Sequence, residues 1–199
     1  ADCYIDAQGS YVSPGFIDIH THGGGGYDFM DGTPEAIIKA CMAHLAHGTT
    51  SICPTTLTCT DEELLTFFDC YREAGKQMEN GPELLGIHLE GPYFSLEQRG
   101  AQDPQYIKVP AKDDYKKLLD ASDDIIRMSA APELEGAMEL ADELKARGIL
   151  ASIGHSDATY AHVIEAWERG YTHVTHLYSG MSTIRRINAY RHLGVIESA

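Results

Sequence analysis

The sequence predicts an α/β fold: a parallel sheet covered by helices, and more narrowly an incomplete (β/α)8 barrel holding about six of the eight strand-helix units. Two patterns carry this. Short apolar β-rich runs alternate with amphipathic helical stretches along the chain, and four of the six runs end in a residue able to ligate a transition metal. Alternation alone fits a doubly wound sheet equally well. The polar strand ends favour the barrel, because there the C-terminal ends of all strands share one rim that holds the active site. A complete barrel needs about 250 residues; this chain has 199, and is expected to stop short of closure.

The strands are predicted at residues 15–19, 49–53, 84–89, 125–130, 149–153 and 171–175, short and mostly apolar as strands buried on both faces should be. Helix punctuation lies between them. Thr33 with Pro34 starts a helix whose apolar face is Ile37, Ile38, Cys41, Met42 and Leu45, closed by Gly48. Thr60-Asp61-Glu62-Glu63 reads as a capping box before Leu64, Leu65, Phe67, Phe68 and Tyr71. A third helix follows Pro132, burying Leu134, Ala137, Met138, Ala141 and Leu144 up to Gly148. A fourth begins near Asp157 and groups Val163, Ile164 and Trp167 before Gly170. Leu193-Gly194-Val195-Ile196 is expected to run into a last helix ending at Ala199.

Composition narrows the function. A hydrophobic share of 43% and a charged share of 23% are those of a soluble globular protein. No run approaches the roughly 20 apolar residues of a membrane helix, and Ala1-Asp2-Cys3-Tyr4 lacks the start of a signal peptide. The net charge of −15 argues against nucleic acid or an anionic membrane as partner. Cys3, Cys41, Cys53, Cys59 and Cys70 form no CxxC pair and read as reduced thiols of a cytoplasmic protein.

The metal-ligand candidates are His20, His22, Glu90, His155 and His176. The first strand runs into His20-Thr21-His22, the third into Glu90-Gly91-Pro92, the fifth into Gly154-His155 and the sixth into His176. Strand period 2 points His20 and His22 the same way. Imidazole and carboxylate suit Zn²⁺ and similar divalent ions, and a catalytic site keeps one position open. Five ligands exceed the needs of one ion, so two adjacent ions bridged by Glu90 are expected; Zn²⁺ comes first, with Fe²⁺ or another transition metal as the alternative.

Other polar residues carry milder expectations. His88 shares the parity of Glu90 and reads as a support for a ligand. His173 points opposite to His176 and is expected against a helix; His44 and His47 suit a helix C-terminus, and His162 a helix surface. Gly23 to Gly26 reads as a flexible βα loop. Thr55 and Thr56 could face substrate, although hydroxyls at strand ends more often bond backbone; Glu133 falls on the same rim, and a first-turn carboxylate explains it as well. No Ser or Cys lies in a nucleophile elbow.

Pro14-Gly15-Phe16-Ile17-Asp18-Ile19-His20-Thr21-His22-Gly23 resembles the opening barrel strand of the amidohydrolase superfamily. His88-Leu89-Glu90-Gly91-Pro92-Tyr93, Gly154-His155-Ser156-Asp157-Ala158-Thr159 and Thr175-His176-Leu177-Tyr178-Ser179-Gly180-Met181 narrow the resemblance to the N-acetylglucosamine-6-phosphate deacetylases. It implies a (β/α)8 barrel hydrolysing the N-acetyl group of N-acetylglucosamine 6-phosphate, with metal ligands at Glu90, His155 and His176. Keeping His20 and His22, the sequence is similar to the two-metal form. By position, the resemblance implies substrate contacts at Ala101, Gln102, Ser179 and Gly180, and a phosphate-binding Arg191 that can act across a homodimer interface. Ser179-Gly180 stands where Asn-Ala is common, and small residues still allow backbone approach. The family's catalytic aspartate falls beyond Ala199, so no catalytic residue is expected within the chain. Residues 1–13 are expected to be a stub of an N-terminal β domain or linker, and 14–199 the truncated barrel.

Two rivals stand beside this. A dihydroorotase-like enzyme or N-acyl amino acid deacylase often uses a carboxylated lysine as bridging ligand; here the strand end offers Glu90, with no lysine nearby. The chain alone could instead be a non-catalytic metal-binding fragment, since an incomplete barrel leaves strand edges unpaired.

Overall fold

A computed structural model describes residues 5–199. In chain order the elements are β1 (Phe16–Thr21), β2 (Gly23–Gly24), β3 (Tyr27–Asp28), α1 (Pro34–Leu45), β4 (Thr49–Pro54), α2 (Asp61–Gln77), β5 (Glu83–Leu84), β6 (Ile87–Glu90), α3 (Lys112–Leu119), β7 (Ile125–Ala130), α4 (Ala137–Arg147), β8 (Leu150–Ile153), α5 (Tyr160–Arg169), β9 (Tyr171–Val174), β10 (Arg185–Ile187) and β11 (Tyr190–His192). β1 pairs with β4 and β4 with β5, all parallel; β6, β7, β8 and β9 form a second parallel ladder. A parallel bridge between Thr55 and His88 joins the two ladders. The principal strands thus lie side by side in the order of the chain, as helical crossovers of one hand produce.

The joined sheet curls. His20, near the end of β1, and His176, just past β9, come within 5.4 Å between ring centroids although they belong to the two outermost strands. The architecture is therefore α/β and barrel-like, as expected. Both edges are open among the described residues, and the side chains there show it: Phe16 is 71% exposed, Ile17 66% and Trp167 on α5 61%. Of the expected apolar trio on α5, only Val163 is buried, because Ile164 and Trp167 face past the β9 edge where no further layer covers them.

The core lies between sheet and helices, where Ile37 and Cys41 of α1, Phe67, Phe68 and Tyr71 of α2, and Leu140 and Leu144 of α4 meet Ile52, Leu89 and Met128 of the strands. Thr33 caps α1 by accepting the Ala36 N–H, and Gly148 ends α4 in a left-handed conformation. At α2 the capping box forms in both directions: Thr60 Oγ1 accepts the Glu63 N–H, and Glu63 accepts the Thr60 N–H at 2.9 Å. Replacing Thr60 by Ala removes one half of this exchange and is expected to lower stability by about 1 kcal/mol, read as a shift of the denaturant midpoint at unchanged slope.

Several expectations need correction. The third predicted strand breaks at Leu85-Gly86, its first part pairing with β4 and its second with β7. Gly86 makes the break, at φ +138° with room for a Cβ only 2.5 Å from Ile126 Cγ2. Helix α3 was not anticipated: Lys112-Asp113-Asp114-Tyr115-Lys116-Lys117-Leu118-Leu119 is mostly charged and buries only Tyr115 and Leu119. Gly23 to Gly26 form a hairpin with Tyr27 and Asp28 rather than a free loop. Residues 196–198 make a turn, not a helix, because Glu197 accepts the N–H groups of Gly194 and Ile184 and the Thr183 hydroxyl, folding the segment onto 182–184. The hairpin of β10 and β11 was likewise unforeseen.

Residues 1–4 of the expected N-terminal stub, Cys3 included, lie outside the described residues; residues 5–15 contain no helix or strand. The other four cysteines are free. Burial pushes the thiols of Cys41 and Cys59 up to about 12 and that of Cys53 to about 11, which keeps them inert as reduced thiols. No helix is long and apolar enough to cross a membrane among the described residues.

Candidate metal centre

All five predicted ligands meet. His20 lies in β1 and His22 one residue past it; Glu90 is the last residue of β6. His155 and His176 follow β8 and β9 at φ +47° and +36°, so each turns out of its strand toward Glu90. The His155 turn is held from three sides. Ser95 N–H donates to the His155 carbonyl at 2.9 Å, Ser156 N–H to the Gly180 carbonyl at 3.1 Å, and Ser156 Oγ to Glu133 at 2.7 Å.

Glu90 is buried at the centre. Its Oε1 lies 3.3 Å from His155 Nε2, 3.1 Å from His176 Nε2 and 3.7 Å from His20 Nε2; its Oε2 lies 3.1 Å from His22 Nε2. The two imidazole nitrogens of His155 and His176 are 3.2 Å apart. Two donor sets result, His20-His22-Glu90 and Glu90-His155-His176, sharing the carboxylate. The second set has the right size for a metal ion. A tetrahedron whose corners sit about 2.0 Å from its centre has edges of about 3.3 Å, and the three sides of this triangle are 3.3, 3.1 and 3.2 Å. Three side chains fill three corners and leave the fourth open, the arrangement of a catalytic rather than a structural ion.

The proton positions agree. His155 Nδ1 faces the Gln98 carbonyl at 2.9 Å, His176 Nδ1 the Ser179 carbonyl at 2.7 Å and His22 Nδ1 the Thr55 carbonyl at 3.2 Å. A carbonyl only accepts, so each Nδ1 carries hydrogen and each Nε2 offers its lone pair to the centre. Lone pairs aimed at a carboxylate repel unless a cation or a proton lies between. Burial lowers the His22 pKa, but the hydrogen bond and charge of Glu90 outweigh it and raise the ring above its ordinary value. The Glu90 hydrogen bond does the same at His176. Burial dominates at His20 and takes it down to about 4. Burial also works against the Glu90 charge, yet the three imidazoles bonded to it hold its carboxyl well below the usual carboxylate range.

The sequence profile of the Amidohydrolase family matches residues 11–198. The chain belongs to the amidohydrolase family. It is 36% identical over 195 residues to the N-acetylglucosamine-6-phosphate deacetylase of Haemophilus influenzae, covering 96% of this chain and 49% of that protein. It is 37% identical over 194 residues to the enzyme of that name from Bacillus subtilis, covering 96% and 48%. The crystal structure of the N-acetylglucosamine-6-phosphate deacetylase of Pasteurella multocida superposes with a TM-score of 0.86 at 34% identity, over 98% of this chain and 50% of that one. The chain therefore spans about half the length of the curated relatives it matches.

Beside this cluster, Gln102 is buried with its amide nitrogen on Glu90 Oε2 at 2.9 Å and its amide oxygen on the Thr58 N–H at 2.8 Å. Its side chain thus holds the Glu90 carboxylate, which leaves its main chain for any substrate contact. Ala101 is exposed beside it, and Ser179 and Gly180 lie in the turn whose carbonyls hold His176 and the His155 turn. Arg191 is exposed on the β10–β11 hairpin. Thr55 and Thr56 bond backbone as expected, Thr55 Oγ1 donating to the Cys53 carbonyl and Thr56 Oγ1 accepting the Glu90 N–H.

Among the milder expectations, one changes. His173 joins an interior chain of hydroxyls through Ser152 Oγ at 2.8 Å rather than serving a helix face. His44 stands in the last turn of α1 as expected, and there also ties the helix to the turn after β1, its Nε2 meeting the Gly23 carbonyl at 2.9 Å and Thr21 Oγ1 at 3.3 Å. Glu133 precedes α4 and lies half-buried under the His155 turn, so of its two readings the rim position holds and the first helical turn does not. His162 sits at the third position of α5, where its Nδ1 accepts the Thr159 N–H. Sequence reasoning missed Arg127 outright; its signal was a guanidinium at every-second-residue spacing from Ser129 inside an apolar strand.

Proposed function

We propose that the whole protein hydrolyses the N-acetyl group of N-acetylglucosamine 6-phosphate, releasing glucosamine 6-phosphate and acetate. The observation that supports this most is the Glu90-His155-His176 triangle, with an open fourth corner, in an amidohydrolase whose similar relatives carry that activity in their names. A relative named for N-acetylgalactosamine 6-phosphate, 33% identical over 175 residues, makes the epimer the substrate to compare first.

Glu90, His155 and His176 would hold the hydrolytic ion, and His20 and His22 with Glu90 a second; Zn²⁺ suits this imidazole and carboxylate set. Such an ion supplies Lewis acidity to an amide carbonyl and an acidified water at neutral pH. The chain's own residues keep that corner rigid. Gln102 pins the Glu90 carboxylate, the Gln98 and Ser179 carbonyls orient two rings, and Phe94 packs against His155 at 4.5 Å between ring centroids. Arg191 would pair bidentately with the sugar phosphate across the interface of a homodimer, which would let a strongly acidic protein take an anion. The open edges at β1 and β9 suit a (β/α)8 barrel closed by further strands beyond residue 199, one of them bearing the aspartate that moves the proton to the leaving amine. A cytoplasmic location accords with the reduced thiols.

The test uses a chain extended to the length of the relatives. Acetate release should be fastest with N-acetylglucosamine 6-phosphate, slower with the galacto epimer and absent with N-acyl amino acids. Dialysis against a chelator should abolish it, and Zn²⁺ should restore it. Turnover of N-acyl amino acids, or full activity in a chain shown by elemental analysis to be metal-free, would refute the proposal.

A further inference from the structure

Three ligand imidazoles have their tautomers fixed by main-chain carbonyls, but His20 does not. Its Nδ1 faces another imidazole, His88 Nδ1, at 3.1 Å, and an imidazole nitrogen can donate or accept. Something else must decide, and one residue nearby has no such freedom. Arg127, buried on β7, places its Nη2 2.7 Å from the Ile19 carbonyl and 2.5 Å from His88 Nδ1.

We propose that Arg127 is a positioning residue which, through His88, fixes His20 as the Nδ1–H tautomer and so presents a bare His20 Nε2 to the second cation site. This rests on reading His20 as a metal ligand. A guanidinium only donates, so His88 Nδ1 must accept and the His88 proton must sit on Nε2. That proton has its own acceptor, Ser129 Oγ, at 2.7 Å. The direction is then passed along hydroxyls that each accept once and donate once: Ser129 to Thr175 at 2.7 Å, Thr175 to Ser152 at 2.6 Å, and Ser152 to His173 Nδ1 at 2.8 Å. With a lone pair on His88 Nδ1, His20 Nδ1 can only be the donor. Its Nε2 is left bare 3.7 Å from Glu90 Oε1, a repulsion that a cation between them relieves.

Packing gives no separate reason for this arginine. Neither of its hydrogen-bond partners is a carboxylate, and its Nε has no partner among the described residues. A buried cation kept without an ion pair is costly, and an apolar residue in the same interior position would avoid that cost. What the guanidinium adds is a donor that cannot become an acceptor.

Long-range ¹H–¹⁵N correlation on the metal-free, histidine-labelled chain near neutral pH reads the tautomers directly. His20 should carry hydrogen on Nδ1 and His88 on Nε2, and Zn²⁺ should shift His20 Nε2 while its Nδ1–H persists. Arg127→Met should mix the His88 tautomers and weaken the His20-His22 ion by about 10–100-fold, as loss of an outer partner does, leaving the His155-His176 ion in place. Arg127→Lys, which also only donates, should restore both readings. Hydrogen on His88 Nδ1 in the wild-type chain would overturn the proposal even if Arg127→Met failed to fold. So would unchanged tautomers and metal affinity in a folded Arg127→Met. Normal tautomers with a His20 Nε2 that ignores Zn²⁺ would refute the ligand reading instead and leave the tautomer relay standing.

Discussion

Glu90→Ala is expected to abolish metal binding at both proposed cation sites at once, the largest functional loss available to a single side chain here. The carboxylate belongs to both donor sets, with Oε1 toward His155, His176 and His20 and Oε2 toward His22. Without it, four imidazoles converge on no anion, and each ion keeps at most two neutral ligands. Loss of an outer partner lowers metal affinity by about 10–100-fold, so loss of a ligand shared by two ions should exceed that range. Glu90→Gln separates charge from shape: it keeps the volume while cancelling the charge. It should fold like wild type in metal-free form yet bind metal almost as poorly as Glu90→Ala. His20→Ala, by contrast, should lower stoichiometry by about one ion. Elemental analysis after dialysis reads all three, and unchanged stoichiometry in Glu90→Ala would remove the basis of the site. Each ion must also displace the protons that Glu90 favours on His22 and His176, so affinity should fall as pH is lowered.

The convergence of these ligands was legible because each stands at a strand end, and strand ends of a parallel sheet share a rim. Parity worked where the strand persists, as for His20, His22, His88 and Glu90. It failed for His173 and His176, because the backbone leaves β geometry at Thr175-His176, where φ reaches +36°. Sequence spacing cannot show that turn. The network beneath was also hidden: Arg127, Ser129, Ser152 and Thr175 are ordinary residues one at a time, and only the alignment of β7, β8 and β9 makes them continuous.

The fold was legible where burial imposes a period and obscure where local chemistry decides. Helices α1, α2, α4 and α5 each bury a stripe and carry a cap or a closing glycine. Helix α3 has two buried residues and six that face outward or partly so, too thin a stripe to stand out. The last turn had helix-like composition, but the Glu197 carboxylate gathers three donors and stops it. The turn after β8 shows the same competition, since a half-buried acid again gathers the donors of a tight segment.

That acid is Glu133, and Glu133→Ala should produce the second large effect. Its carboxylate accepts the Ser156 hydroxyl at 2.7 Å and the Asp157 N–H at 2.5 Å, both within two residues of His155. Removing it orphans the buried Ser156 hydroxyl and the half-buried Asp157 N–H, so a loss of at least about 1–3 kcal/mol, the cost of one buried orphan, is expected. The left-handed His155 turn then loses one of its three holds, and the His155-His176 ion should weaken by about 10–100-fold while the His20-His22 ion is spared. Glu133→Gln separates anchor from charge. Burial raises the Glu133 pKa above its ordinary value in the folded chain. A raised carboxylate pKa means that the folded state holds the proton more tightly than the unfolded one, so this contribution is full below the unfolded pKa and is lost as pH rises through the folded one. Near neutral pH the wild-type side chain is therefore a charge kept in an unfavourable place. Gln keeps an acceptor for Asp157 without that charge and should come close to wild-type stability at neutral pH, with a flatter dependence on pH above the carboxylate range. Equal destabilisation by Ala and Gln, measured as denaturant midpoints across pH, would show that the anchor needs the charge itself rather than the acceptor.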